Sequence, residues 1–366
     1  MTYKRLGDYI REVNVRNRDE KVTKLVGLTI DKAFIPSVAN VIGTDLSNYK
    51  VIGREQFACS LMQVSRDGKM PVAMFEEDEA IMSPAYPMFE VIDKSVLLPQ
   101  YLMMWFSRTE FDREASYYAV GGVRGSLTWE DFCNMTLPLP SIERQREIVE
   151  EYETLSRRIS LNEQMIQHLE ATAQTLYRKM FVDNIDKENL PEGWRIEKLK
   201  DVATLKAGGD KPINFSEEKT ESYNIPVYAN GIENKGIFGY TTKSIIKAKS
   251  ITISARGTIG YCFLRKYPYV PIVRLIVIIP TNEIDAQYLF YYLDSLNLKG
   301  SGSVQSQLTV PDIEGLEVIV PPQQLVKMFN DEVEVIDNAI DIRERENSKL
   351  NELQSLLLAK MGNLKQ

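Results

Sequence analysis

Histidine is nearly missing from this 366-residue chain, with His168 the single copy. A Ser-His-Asp or Cys-His nucleophilic arrangement would have to use it, and nothing around it has that character. It falls inside a long helical pattern, beside the apolar seam, and is expected to be exposed. Cysteine is scarce too: Cys59, Cys133 and Cys262 lie far apart, and no pair has CxxC spacing. They read as reduced thiols of a cytoplasmic protein rather than as zinc or disulfide positions. No apolar run reaches the length of a membrane-spanning helix, and no signal-like stretch opens the sequence. A GxxxxGK[ST] loop is absent, as is GxGxxG in a strand–helix setting. No catalytic residue, metal or cofactor is therefore expected, and the chain is read as a non-enzyme.

What remains is ordinary globular composition, 44% hydrophobic and 26% charged. The length suggests two or three domains, and each half is long enough to bury its own core. A formal net charge of −7 argues against a uniformly basic nucleic-acid binder while leaving room for a local basic surface.

The sequence also repeats itself. PLPSIERQREI (138–148) is a Pro-flanked apolar stretch that gives way to charged and apolar residues at helical spacing, and VPPQQLVKMFND (320–331) makes the same transition half a chain later. An offset of 181 places Thr128 on Thr309, Asp131 on Asp312, Pro140 on Pro321 and Ile148 on Phe329, and it holds without a gap to Met180 on Met361. Upstream the match is looser: LGDYI (6–10) parallels LKDVA (199–203), SRDG (65–68) parallels SARG (254–257), and PQYLMMWF (99–106) parallels AQYLFYYL (286–293). The period is too long for a solenoid unit. It reads as a tandem duplication of domain and long helix, which implies a pseudo-two-fold arrangement.

Both helical stretches carry apolar residues at alternating spacings of four and three. In the first the seam includes Ile148, Leu155, Ile159, Leu169 and Leu176; in the second, Ile336, Ile340, Leu350 and Leu357. Sustained over about four heptads, this predicts a coiled coil. Polar residues interrupt the seam at Asn162, Arg343 and Asn347, where such groups fix register. With a globular domain between the helices, an antiparallel pair is the simpler geometry. About 40 residues at 1.5 Å each make each helix roughly 60 Å long. The expected fold is α/β (α+β): mixed α/β domains at 1–140 and 182–321, with spacer helices at 141–181 and 322–366.

The second domain has short β-like runs broken by Gly and Asn, which suggest a curved or barrel-like sheet. Between Leu199 and Leu275 it carries twelve basic and six acidic residues, a local balance of +6. Bases set among Gly, Asn, Ser and Tyr suit phosphate and base-edge contacts. The candidates there are Lys211, Asn230, Lys235, Arg256 and, in a late Gly-Ser loop, Gln305. In the first domain they are Lys32, Arg66, Lys69 and Arg124. Two other classes stay open at this point: a paired-domain DNA-binding regulator, and a coiled-coil scaffold that binds only protein.

The duplicated layout, with LPLPSIERQREIV before the first helix, LPEGWRIEKLKDVA opening the second domain, and VPPQQLVKMFN before the second helix, resembles the specificity subunit of Type I restriction-modification enzymes. The resemblance covers essentially the whole chain. The usual Glu-Gln after the proline step appears as Glu143-Arg144-Gln145 and, in the second copy, as Gln323-Gln324. The resemblance implies that each domain is a target recognition domain for one half of a bipartite double-stranded DNA site, with unlike half-sites roughly one helical turn apart. It implies that the helices set that spacing and dock two methyltransferase (modification) subunits. Restriction (motor-nuclease) subunits would join that core, and the methyl donor and ATP would belong to these partners.

Overall fold

The computed structural model describes residues 3–37, 44–62, 64–119, 125–183, 185–282, 284–298 and 307–362. Two folded units share the chain, and one of them is discontinuous. Unit 1 takes Met1–Glu163 together with Glu344–Gln366, and unit 2 is the continuous stretch Gln164–Arg343.

Unit 1 contains strands β1 (Tyr3–Arg5), β2 (Ile10–Glu12), β3 (Val26–Leu28), β4 (Phe34–Pro36), β5 (Lys50–Gly53) and β6 (Phe57–Cys59), then helix α1 (Val64–Asp67). There follow β7 (Val72–Met74), β8 (Glu79–Met82), β9 (Met88–Val91), α2 (Pro99–Phe106), α3 (Thr109–Ala119), α4 (Trp129–Asn134) and β10 (Thr136–Pro138). Then comes α5 (Ile142–Phe181), whose first part lies in unit 1. The main sheet is antiparallel, in the order β2-β9-β6-β7. Its core is aromatic: Phe57 stacks on Phe89 with ring centroids 5.0 Å apart, and Phe106 and Phe132 close around them. Each such ring, fully buried, contributes about 1.5–3 kcal/mol.

Unit 2 repeats the plan. It has β11 (Arg195–Lys198), α6 (Leu199–Val202), β12 (Ala203–Ala207), β13 (Phe215–Ser216), β14 (Ile225–Tyr228), β15 (Ile237–Thr241), β16 (Ser250–Ile253), β17 (Cys262–Arg265), β18 (Val270–Pro271) and β19 (Ile276–Pro280). Helices α7 (Ala286–Ser295) and α8 (Val310–Glu314) lead to β20 (Glu317–Val320) and α9 (Gln323–Met361). The main sheet runs β12-β19-β16-β17, the order of the first unit strand for strand. Both are four-stranded antiparallel sheets. The equivalences extend to single hydrogen bonds. The Leu6 N–H donates to Met135 O as the Leu199 N–H does to Leu316 O, each at 2.8 Å. Tyr101 Oη donates to Pro138 O, and Tyr288 Oη to Ile319 O. Thr128 with Asp131 caps α4, and Thr309 with Asp312 caps α8.

One sequence parallel does not hold in space. Ser65, Arg66 and Asp67 of SRDG lie in α1, whereas SARG is loop. The Leu127 N–H donates to Leu61 O, and the Leu308 N–H to Ala255 O, so Ala255 corresponds to Leu61. A shared Ser-x-x-Gly could not reveal this, because loop lengths differ on either side.

In each unit a segment of α5 meets a segment of α9 antiparallel. In unit 1, Ser156, Arg158 and Asn162 partner Gln354, Glu346 and Asn347. Unit 2 pairs Met165 with Arg343, and Tyr177 with Phe329. Every seam position is buried or half-buried, and His168 is exposed. The helix segments also enter the domain cores: Ile148, Val149 and Met361 in unit 1, and Ala173, Tyr177, Phe181, Phe329 and Val333 in unit 2.

Candidate nucleic-acid interface

The second unit offers the better-defined surface. Between β14 and β15 the chain makes a turn in which Asn234, Lys235 and Gly236 all have positive φ. Asn and Gly tolerate this, and Gly236 is required: a Cβ there would lie 2.8 Å from Ala229 O. A lysine in this region is strained, so something must hold it. The Ala229 N–H donates to Gly236 O at 2.9 Å, and Arg265 Nη2 donates to Lys235 O at 2.8 Å.

Arg265 is buried and, among the described residues, has no acidic partner. It is held by its bond to Thr252 Oγ1 (2.8 Å) and lies 3.6 Å from the Tyr228 ring centroid. Burial lowers its guanidinium to about 10, so it stays charged at neutral pH. Sequence reasoning counted it only as one of twelve bases. The alternation of aromatic and basic residues around it was the available signal.

Asn230 sits at the foot of the same turn. Its Nδ2 donates to Val273 O at 2.8 Å, and its Oδ1 accepts the Ala255 N–H at 2.7 Å. It joins three loops, and its amide is committed within the unit rather than offered outward. Arg256, next to Ala255, is exposed and donates to Gln307 Oε1 at 2.9 Å. Lys211 lies 3.6 Å from the Phe215 ring centroid and 5.4 Å from that of Phe238. Lys235 is exposed at the tip. Gln305 lies outside the described residues.

The local excess of +6 also needs reading by position. Lys266 reaches Asp337 (3.1 Å) and Asp341 (3.7 Å) on α9, and Lys249 donates to Gln287, which donates to Asp337. These bases tie the sheet to the helix. The bases not tied to α9 in this way include Lys211, Lys235 and Arg256.

In unit 1, Lys32 occupies a left-handed turn (φ 63°), and its ammonium is buried. It forms an ion pair with Asp112 at 2.8 Å and donates to Phe106 O. Asp112 also accepts the Met70 N–H at 3.1 Å. Burial pushes Lys32 below the ordinary lysine range, and the Asp112 carboxylate opposes that shift. The residue therefore braces the 65–70 segment from beneath. Arg66 and Lys69 are on the surface, paired with Asp67 (2.7 Å) and Asp31 (3.0 Å). Exposed pairs of this kind contribute little and exchange readily for phosphate. Arg124 lies outside the described residues.

Among the described residues no cluster of His, Cys, Asp and Glu could hold a metal ion, and no helix is long and apolar enough to cross a membrane. The arrangement offers groups for binding: surface cations, a braced turn, and exposed apolar side chains.

Comparison with known proteins gives these surfaces a setting. The family profile described as "Type I restriction modification DNA specificity domain" matches residues 65–171 and 191–352. A Mycoplasma pneumoniae protein described as a type I specificity subunit is 33% identical over 174 residues, 44% of this chain and 52% of the relative. The chain thus spans about half the length of that relative, and likewise 54% of a second one from the same organism. The Type I restriction enzyme HindI specificity subunit of Haemophilus influenzae is 20% identical, covering 78% of this chain and 81% of its own. Among solved structures, the Type I restriction-modification S subunit from M. genitalium superimposes with a TM-score of 0.60 at 15% identity, covering 98% of this chain and 95% of that one.

Proposed function

The chain belongs to the type I restriction-modification DNA specificity family, and on that premise we propose that its two globular parts read the two halves of a bipartite, asymmetric DNA site. The observation that carries this is the repeated sheet. The orders β2-β9-β6-β7 and β12-β19-β16-β17 are the same scaffold, and the connections between equivalent strands differ. A common scaffold with unlike loops suits two readers of unlike sequences. In unit 2, Lys211, Lys235 and Arg256 contact DNA, with Asn230 and Arg265 bracing the turn. In unit 1, Arg66 and Lys69 do so, with Lys32 beneath them. Cations position the backbone and groove contacts read bases.

The two helices set the distance between half-sites and dock two methyltransferase subunits, to which motor-nuclease restriction subunits attach. The chain works by recognition in the cytoplasm, and chemistry resides in the partners. A modified adenine is flipped out of the stack by its methyltransferase. The test is genome-wide detection of methylated bases in the host with this gene intact and deleted. A bipartite motif that loses methylation on deletion supports the proposal and gives both half-sites and the spacer. With an active methyltransferase co-purifying, unchanged methylation would refute it.

A further inference from the structure

The turn in unit 2 walls a cavity of about 310 Å³, formed by Ala229, Gly231, Gly236, Ile237, Phe238 and Thr258. Phe238 is 50% exposed, Ile232 45% and Ile237 38%. Three large, exposed apolar side chains on one short surface turn make it a candidate binding site. The polar groups at its base are taken: both ends of the Asn230 amide, and the Ala229 N–H. Glu233 also lines the cavity, and besides Asn230 and Thr258 its carboxylate is the one polar side chain there. Outside it lie cations, with Lys211 over the Phe238 and Phe215 rings.

The occupant must therefore be anionic at its edges and present a small apolar group beside a hydrogen-bond donor. In the major groove the C5-methyl of thymine is the one apolar group on a base edge, and the adenine paired to it presents its N6 amine alongside. A carboxylate would repel phosphate but accepts from an exocyclic amine. Resting on the DNA-reading role proposed above, we infer that this cavity reads a T·A pair. Phe238 and Ile237 enclose the thymine methyl, and Glu233 accepts from the N6 amine of adenine.

The test uses the full chain co-purified with its methyltransferase. Tightly bound duplexes are selected from a random-sequence pool and sequenced, and each thymine of the half-site read by unit 2 is replaced singly by deoxyuridine, which removes only the methyl. One replacement should weaken binding about fourfold, the effect of one buried methyl group. Phe238→Ala should bind the thymine and uracil duplexes equally, at the level of the unaltered protein on uracil. Ile237→Ala gives a second reading should Phe238→Ala fold poorly. Selected duplexes that bind equally well with every thymine replaced, while still outcompeting random DNA, would overturn the inference alone. So would a uracil penalty that persists in both variants. A pool that never enriches would overturn the half-site reading itself, and the inference with it.

Discussion

Gln145 is fully buried in the first turn of α5, and its carboxamide makes three bonds to backbone. Its Oε1 accepts the Leu98 N–H at 2.9 Å, and its Nε2 donates to Val96 O at 2.8 Å and Pro140 O at 3.0 Å. Gln145→Leu keeps the volume and strands those three groups away from water. Each buried, unbonded group costs about 1–3 kcal/mol. The gain from burying leucine in place of an amide offsets about 1.5–2 kcal/mol of that. The net loss should be about 1–7 kcal/mol, which for a unit of this size lowers the melting temperature by roughly 2–30 °C. The equivalent position in the second copy is Val326, already apolar and buried. Val326→Leu strands no polar group and adds one methylene, so it should cost no more than about 1–3 kcal/mol. Thermal unfolding followed by circular dichroism measures the first effect, and hydrogen exchange at the Leu98 amide locates it. An unchanged transition with Leu98 still protected would refute the claim that this side chain fastens the helix to the 96–98 segment.

Asn162 and Asn347 share a 2.8 Å hydrogen bond across the seam. Asn162→Leu alone should cost about 1–3 kcal/mol by stranding Asn347, whereas the double replacement should be near neutral, a non-additivity that a double-mutant cycle measures. Arg256→Ala in the assembled complex should weaken specific binding by about 1–3 kcal/mol; equal affinity across a salt series would remove Arg256 from the interface. Deleting one heptad from both helices should change half-site spacing and leave half-site sequences intact, as methylation mapping would reveal. Burial alone would raise the Glu90 carboxyl, but hydrogen bonds from Gln56 and Arg11 and the charge of Arg11 bring it below the ordinary glutamate range. Its contribution is thus present above the unfolded-state value and lost as pH falls through the lower folded one. Glu90→Gln should flatten the acid limb of stability against pH, which denaturant titrations at stepped pH would register.

The helices were legible because their signal is local. A seam such as Ile148, Leu155, Ile159 and Asn162 depends only on the period of one helix. The Thr-x-x-Asp caps at Thr128 and Thr309 entered the sequence reading only as positions of the repeat, although the residues that bond lie three apart. Lys32 was not: its partner Asp112 is 80 residues away, and nothing near either one marks the pair. Charge counting failed at Arg265 and Lys266 for a related reason. A sum over sequence cannot see that one is buried against Tyr228 and the other answers two aspartates on α9. The role of Asn230 was half visible. A polar residue in a Gly-rich loop does mark the turn, but only the fold shows that its amide faces inward.

The discontinuity of unit 1 bears on how the protein is made. Tyr3 Oη donates to Gly362 O, and Met361 lies in the same core as Leu6 and Leu137. On the ribosome, unit 1 cannot complete its core until residues 344–362 are made, while unit 2, being continuous, can close earlier. At about 5–20 residues per second, the interval between α5 and the end of α9 is roughly 10–40 s. During that time Ile148 and Val149 lack the side chains that cover them. The nascent first domain is therefore the stage at which this chain is most exposed to chaperones, proteases or a second nascent copy, and a pause placed late in translation would lengthen it.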